Sequence, residues 1–384
     1  MLNPEVVALK PSGIRKYFDI AATMDDVITL GVGEPDFKTP WHIREAGIKS
    51  LEKGYTRYTA NRGMLELRSE ISEFMKRRYS LSYDPSNEIL VTVGGSEAID
   101  GAVRALVAPG DEVLVVQPSF VCYEPIVKLA GGTVRIIETK HENEFRLTAD
   151  ELRDSISEKT KLLILPYPNN PTGAVMRREH LEAIADVLRD TNVLVLSDEI
   201  YSELTYGSER HVSIAEIDGM KERTVVASGF SKTYSMTGWR LGFACGPAPV
   251  IKQMTKIHQF AIMSAPTTSQ FAAIEAIKAG DEDISDMRFD YDIRRTFIVS
   301  EFRKMGLECF EPQGAFYAFP CIKSTGLTSE EFCERLLREK HVAVVPGNAF
   351  GDCGEGFIRV SYCNSMKNLK KATALIKEFI DSLK

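Results

Sequence analysis

The residues of this sequence most able to do chemistry each stand just past a run of aliphatic and β-branched residues. Lys232 follows the run at 224–227, and an amine there can attack a carbonyl and hold a Schiff base. Asp198 follows the run at 193–196. A carboxylate at the end of an apolar strand is costly to bury without a cation, and a protonated ring nitrogen would serve; an Asp capping the next loop is the plainer alternative. Gly94-Gly95-Ser96 lies between the run at 89–93 and a helical pattern. It would present backbone N–H groups at a positive helix terminus with no Cβ in the way, a place for phosphate, or else form a tight turn with Ser96 as N-cap. In the same setting stand Phe120, Asn170 and Tyr201, and Arg240 lies eight residues beyond Lys232. Taken singly, each has an ordinary structural explanation. Taken together they offer a phosphate cradle, an aromatic face, a carboxylate for a ring nitrogen and an amine for a Schiff base.

These side chains can meet only if the runs share one sheet, because ligands of open α/β sheets bind beyond the carboxyl ends of the strands. Of the runs at 89–93, 113–116, 134–137, 162–165, 193–196, 224–227 and 241–245, several are apolar at successive positions, as strands covered on both faces are. Helical patterns at 96–107, 178–189 and 249–260 alternate with them, which predicts an α/β fold with one large, mostly parallel, seven-stranded sheet. After about 280 the pattern changes to charged helices at 283–305, 328–339 and 366–383 around short runs at 315–319 and 342–345. The expected organisation is an N-terminal arm or lid over 1–40, loop-rich and packed on the smaller domain, a large domain over 41–280, and a small α+β domain over 281–384.

At about 150 residues per domain, 384 residues suggest two to three units, and 44% hydrophobic with 26% charged residues are globular proportions. A net charge of −7, with no basic cluster longer than Lys76-Arg77-Arg78, offers nucleic acid no attractive field. No apolar run approaches the ~18–20 residues of a membrane helix, and Met1-Leu2-Asn3-Pro4-Glu5 has no signal-peptide character. Seven cysteines without a CxxC pair suit free thiols in a reducing cytoplasm; six histidines without HxxxH spacing predict no metal site. Neither Walker A nor G-x-G-x-x-G is present, since Asp36 takes the third glycine position after Gly31 and Gly33.

These segments together resemble the fold-type I pyridoxal-phosphate enzymes, specifically the class I/II aminotransferase family. Ser231-Lys232-Thr233-Tyr234-Ser235-Met236-Thr237-Gly238-Trp239-Arg240-Leu241-Gly242 matches the family's cofactor-lysine signature. Further matches are Gly33-Glu34-Pro35-Asp36-Phe37, Tyr58 to Gly63, Gly94 to Ala98, Asn169 to Gly173, Asp198 to Tyr201, Gly314-Ala315-Phe316-Tyr317 and Phe357-Ile358-Arg359-Val360, in order along nearly the whole chain. The stretch from Ser12 to Phe18 and that from Ser197 to Tyr206 look like the bacterial and archaeal branch that handles aromatic amino acids or N-acetyl-diaminopimelate. The resemblance implies that pyridoxal 5′-phosphate binds Lys232, which then carries the proton between substrate and cofactor carbons. It implies that Asp198 pairs with the ring nitrogen, that Tyr201 and Asn170 bond the phenolic oxygen, and that Phe120 stacks on the ring with Tyr123 nearby. Gly95, Ser96, Ser231 and Arg240 would hold the phosphate, with Tyr58 reaching in from the neighbouring subunit of a homodimer. Arg359 would clamp the substrate α-carboxylate, helped by Asn170 and the Gly33 backbone.

One departure bears on substrate. Animal-type aspartate aminotransferases bring a second arginine from the partner subunit, but His258-Gln259-Phe260-Ala261-Ile262 contains none, and Phe260 falls about where it would be. The resemblance therefore favours an aromatic amino donor and a 2-oxo acid acceptor such as 2-oxoglutarate, in a ping-pong reaction. Arg15, Lys16 and Arg62 are candidate replacement cations, and the segment with Ile14 and Arg15 is a candidate lid. Transamination of N-acetyl-L,L-diaminopimelate or aspartate is the alternative. A carbon–sulfur β-lyase would share the fold, the lysine and the aspartate but release pyruvate and ammonia. A pyridoxal-phosphate-sensing regulator would carry a DNA-binding module for which the first forty residues are too few.

Overall fold

The seven apolar runs pair edge to edge. The computed structural model describes residues 2–9, 11, 13, 20, 24–208 and 210–383, so Arg15, Lys16 and the proposed lid segment fall outside the described residues. In chain order the strands among the described residues are β1 (Ile28–Thr29), β2 (Ile89–Thr92), β3 (Glu112–Gln117), β4 (Thr133–Glu138), β5 (Thr160–Leu165), β6 (Leu194–Asp198), β7 (Thr224–Gly229), β8 (Gly242–Cys245), β9 (Tyr317–Ala318), β10 (Val342–Ala343), β11 (Val345–Pro346) and β12 (Ile358–Ser361). The main sheet has the order β2-β8-β7-β6-β5-β3-β4. β8 is antiparallel to both its neighbours and the other pairings are parallel.

Strand alternation divides the apolar side chains between two covered faces. Val113, Val115, Leu162, Ile164 and Leu196 pack with Ile99, Val103, Ile251 and Met254 of the helices Gly95–Leu106 and Ala248–Ala261. On the other face Leu114, Val116, Leu163 and Leu165 meet Leu181, Ile184 and Leu188 of the helix Arg178–Arg189. Next to these, Ile89, Val91 and Phe243 meet the helices Leu65–Tyr79 and Thr267–Ala279. β4 is the exception at the edge, where Arg135 and Glu138 alternate with apolar residues and discourage further pairing.

A separate apolar cluster forms around β9, β10 and β12 and the helices Asp281–Lys304, Ser329–Lys340 and Met366–Ser382. Here the structure differs in detail from the sequence pattern. The run at 342–345 is not one strand. β10 pairs in parallel with β1, β11 pairs antiparallel with β12, and Val344 turns between them. Only Tyr317 and Ala318 of the run at 315–319 are extended in a ladder, because Ala315 takes a left-handed φ of 56°. Among the described residues no helix is long and apolar enough to cross a membrane.

Candidate active site

Because β3, β5, β6 and β7 run in one direction, the segments that leave them open onto one cavity of about 320 Å³. Gly33, Gly95, Ser96, Phe120, Asn170 and Asp198 line it, as do Tyr201, Ser231, Lys232, Arg240 and Arg359. Tyr58 does not: within the single chain its side chain is exposed and outside the cavity. Arg62 is also outside, donating to the Ser86 carbonyl.

β7 ends at Gly229 and the chain turns at once into the short helix Phe230–Thr233, which aims Lys232 into the cavity. Its Nζ donates to the Gly33 carbonyl at 2.7 Å. Burial lowers the amine to about 8, with Arg359 and Arg240 adding to the effect against Cys363 and Glu34. The neutral amine is therefore far more populated near neutral pH than in an ordinary lysine, which suits both nucleophilic attack and proton transfer.

Asp198 ends β6 and is buried. Its Oδ2 accepts from Tyr123 Oη at 2.6 Å and its Oδ1 from the Ile200 amide at 3.2 Å, so it makes both the loop cap and the cavity contact. Among the described residues no cation pairs with it. Burial raises its proton affinity, opposed by the Tyr123 and Ile200 hydrogen bonds. Such a carboxylate could accept from a protonated ring nitrogen.

The helix Gly95–Leu106 begins at the far end of the cavity. Gly94, not Ser96, is its N-cap, at a φ of 79°. A Cβ on Gly94 would come within 2.8 Å of Arg240 Nη2, and one on Gly242 within 2.5 Å of the Gly94 backbone. The first N–H groups of this helix have no carbonyl partner within it, and beside them lie Ser96, Ser231 and the Arg240 guanidinium, the donors a phosphate dianion takes. Arg240 has a left-handed φ of 52° and donates to the Thr237 carbonyl at 2.9 Å.

Arg359 enters from β12 and is buried. Nη1 donates to Asn170 Oδ1 at 2.8 Å and Nη2 to the Gly31 carbonyl at 2.5 Å, while Nε has no hydrogen-bond partner. Tyr317 and Phe350 pack on its faces at 4.6 and 4.7 Å. A buried guanidinium with an uncommitted donor and no carboxylate is matched to an anionic ligand. Phe120 meets Tyr123 edge-on, ring centroids 6.4 Å apart.

Tyr317 has no role in the sequence reading. Its hydroxyl is 2.9 Å from Tyr201 Oη, and burial pushes its phenol up to about 12. It also excludes any side chain at Gly33, where a Cβ would lie 2.2 Å from its oxygen. Its motif Gly314-Ala315-Phe316-Tyr317 was the available signal, but the contact depends on how β9 packs. Thr237, Ile99, Ile200, Pro166 and Pro168 complete the lining.

A sheet of this topology with such a cavity at its strand ends defines a class, and comparison with known proteins agrees. The chain belongs to the class I and II aminotransferases, whose family model matches residues 25–376. It is 52% identical over 379 residues to YugH of Bacillus subtilis, covering 99% of this chain and 98% of the other. It is 47% identical to the aspartate aminotransferase of Pyrococcus abyssi over 95% of this chain and 94% of that one. Among solved structures, the aromatic aminotransferase of Pyrococcus horikoshii superposes with a TM-score of 0.91 at 43% identity, covering 96% of this chain and 99% of that one. The protein is thus an aminotransferase of the fold-type I architecture, and the family's cofactor is pyridoxal 5′-phosphate.

Proposed function

We propose that this aminotransferase prefers an aromatic L-amino acid as donor and passes the amino group to a 2-oxo acid such as 2-oxoglutarate in two half-reactions, using pyridoxal 5′-phosphate. The observation that carries the reading is a single cavity lined by a buried amine and, among the described residues, by a buried carboxylate without a cation and a buried arginine without a carboxylate. When bound, the cofactor supplies a carbonyl for condensation with amines and a ring that accepts the electron pair left at the substrate Cα.

The chain's own residues do the rest. Gly95, Ser96, Ser231 and Arg240 bind the phosphate, Phe120 stacks on the ring, and Asp198, steadied by Tyr123, accepts the ring N–H. Tyr201 and Asn170 donate to the phenolic oxygen. Arg359 would orient the substrate carboxylate with Asn170 and the Gly33 backbone, and Lys232 Nζ would take the Cα proton and deliver it to the cofactor carbon on the other side of the nitrogen. Among the described residues the cavity lining holds no cation besides Lys232, Arg240 and Arg359. A dicarboxylic donor is the second reading, supported by the relative named aspartate aminotransferase. The free state of all seven cysteines agrees with a reducing cytoplasm.

The test is the visible spectrum of the cofactor-loaded protein during separate additions of L-phenylalanine, L-aspartate and N-acetyl-L,L-diaminopimelate without acceptor. Conversion by phenylalanine at the lowest concentration is expected, and conversion by aspartate alone would replace the aromatic reading. Lys232→Ala should lose turnover by roughly a thousandfold or more; full activity would overturn the assignment of that lysine.

A further inference from the structure

Directly behind Asp198 lies a second buried carboxylate that the roles above leave unused. Strand alternation turns Asp198 to the cavity and Glu199 away from it, and the Glu199 side chain is only 1% exposed. Its Oε1 accepts from Ser197 Oγ at 2.7 Å and from Ser213 Oγ at 2.6 Å, and its Oε2 lies 3.0 Å from His211 Nε2. Its amide donates to the Ala227 carbonyl of β7 at 2.8 Å. A carboxylate here accepts from both hydroxyls, and from His211 in its Nε2–H tautomer.

The remaining charged and titratable groups nearby are accounted for. Tyr79 packs edge-on to His211 and donates to Glu203, which lies 3.6 Å from Arg78. Arg210 pairs with Glu216 on the segment that carries His211 and Ser213. Burial first, and the Glu199 charge in addition, make Asp198, Tyr79, Tyr83 and Cys245 hold their protons more tightly.

We propose that Glu199 tunes the site from behind Asp198: its negative charge, held by Ser197, Ser213 and His211, favours the protonated form of the cofactor bound in front of Asp198. The inference rests on the pyridoxal phosphate reading above. Whichever nitrogen of the bound group titrates, an anion nearby raises its proton affinity, and removing that anion lowers it.

The experiment is a pH titration of the visible absorbance of the cofactor-loaded protein without substrate. Glu199→Gln keeps the side-chain size and a hydrogen-bonding oxygen but removes the charge. Its midpoint should fall by about one pH unit, the shift given by one charge ~10 Å away at an effective dielectric constant of about 20. Glu199→Asp, which restores the charge, should titrate within about 0.3 units of the unsubstituted protein. Should Glu199→Gln not fold, His211→Lys sets a lasting positive charge against Glu199, from a position that borders a second crevice, and should move the midpoint the same way. An unchanged midpoint in the folded charge-altering variant, or an equal fall in Glu199→Asp, overturns the proposal. If the unsubstituted protein acquires no visible band with pyridoxal phosphate, the cofactor reading fails and this inference with it.

Discussion

Lys232 shows how position alone makes an ordinary side chain reactive. The amine is lowered to about 8 because burial penalises the ammonium and two guanidinium groups repel it. The unfolded chain keeps the ordinary affinity, so between about 8 and 10.5 the unfolded state binds the proton and the folded state does not. The buried ammonium thus costs stability below pH 8, and the cost is relieved as the pH rises towards 10.5. Relative to Lys232→Met, the cofactor-free protein should gain at most ~3 kcal/mol across that window. Denaturant midpoints of the two proteins measured at both ends check this, and parallel pH dependence would refute it. Arg359 makes a geometric prediction. Lysine offers a point charge in place of a planar fork, so Arg359→Lys should raise KM for amino and oxo substrates alike by about 10- to 100-fold. A rise for one substrate only would mean that Arg359 does not hold the carboxylate common to both. At this scale the sequence was informative where chemistry follows an apolar run, as with Lys232 and Asp198. It marked Tyr317 within a motif but gave it no role, because its contact with Tyr201 arises from residues 116 positions apart.

The sheet was legible because its strands are apolar at successive positions and each is followed by turn residues. The helices Arg178–Arg189 and Met366–Ser382 were legible because their apolar faces recur every three or four residues. Pairings between two-residue strands carry no such pattern. β1 and β10 join Ile28 to Val342, and nothing local in either segment specifies the other. The same holds for the close crossing of β8 under the helix that begins at Gly95, where Gly242 leaves no room for a Cβ against Gly94 C, Gly95 N or the Ser228 carbonyl. All three obstacles are backbone, so Gly242→Ala must move the start of the helix. It should cost about 1–3 kcal/mol of stability, read from denaturant unfolding. The same displacement misaims the N–H groups proposed to hold phosphate. The variant should therefore bind pyridoxal phosphate about tenfold more weakly while its affinity for pyridoxal, which lacks the phosphate, changes little. Equal losses for the two ligands would assign the effect to the ring pocket instead.

At the scale of the whole molecule, the proposed function calls for a second chain to complete the site. Tyr58 is 83% exposed and Phe260 89%, and they belong to adjoining segments: Asn61 donates to the Met263 carbonyl and Thr267 to the Arg57 carbonyl. With exposed Ile262 and Met263 they make an apolar surface of the kind that a second copy of the chain covers. If that copy delivers Tyr58 to the phosphate, a chain carrying Tyr58→Ala and a chain carrying Lys232→Ala are each deficient at both sites of their own dimers. A mixed dimer behaves differently. One site combines both defects, and the other joins an intact Lys232 to an intact Tyr58. Equal amounts of the two variants, unfolded and refolded together, should place about half the molecules in mixed dimers and so restore about a quarter of full activity. The sum of the two variants' separate activities is the baseline. A mixture that never rises above it, although mixed dimers are detected by mass, would mean that each chain builds its site alone.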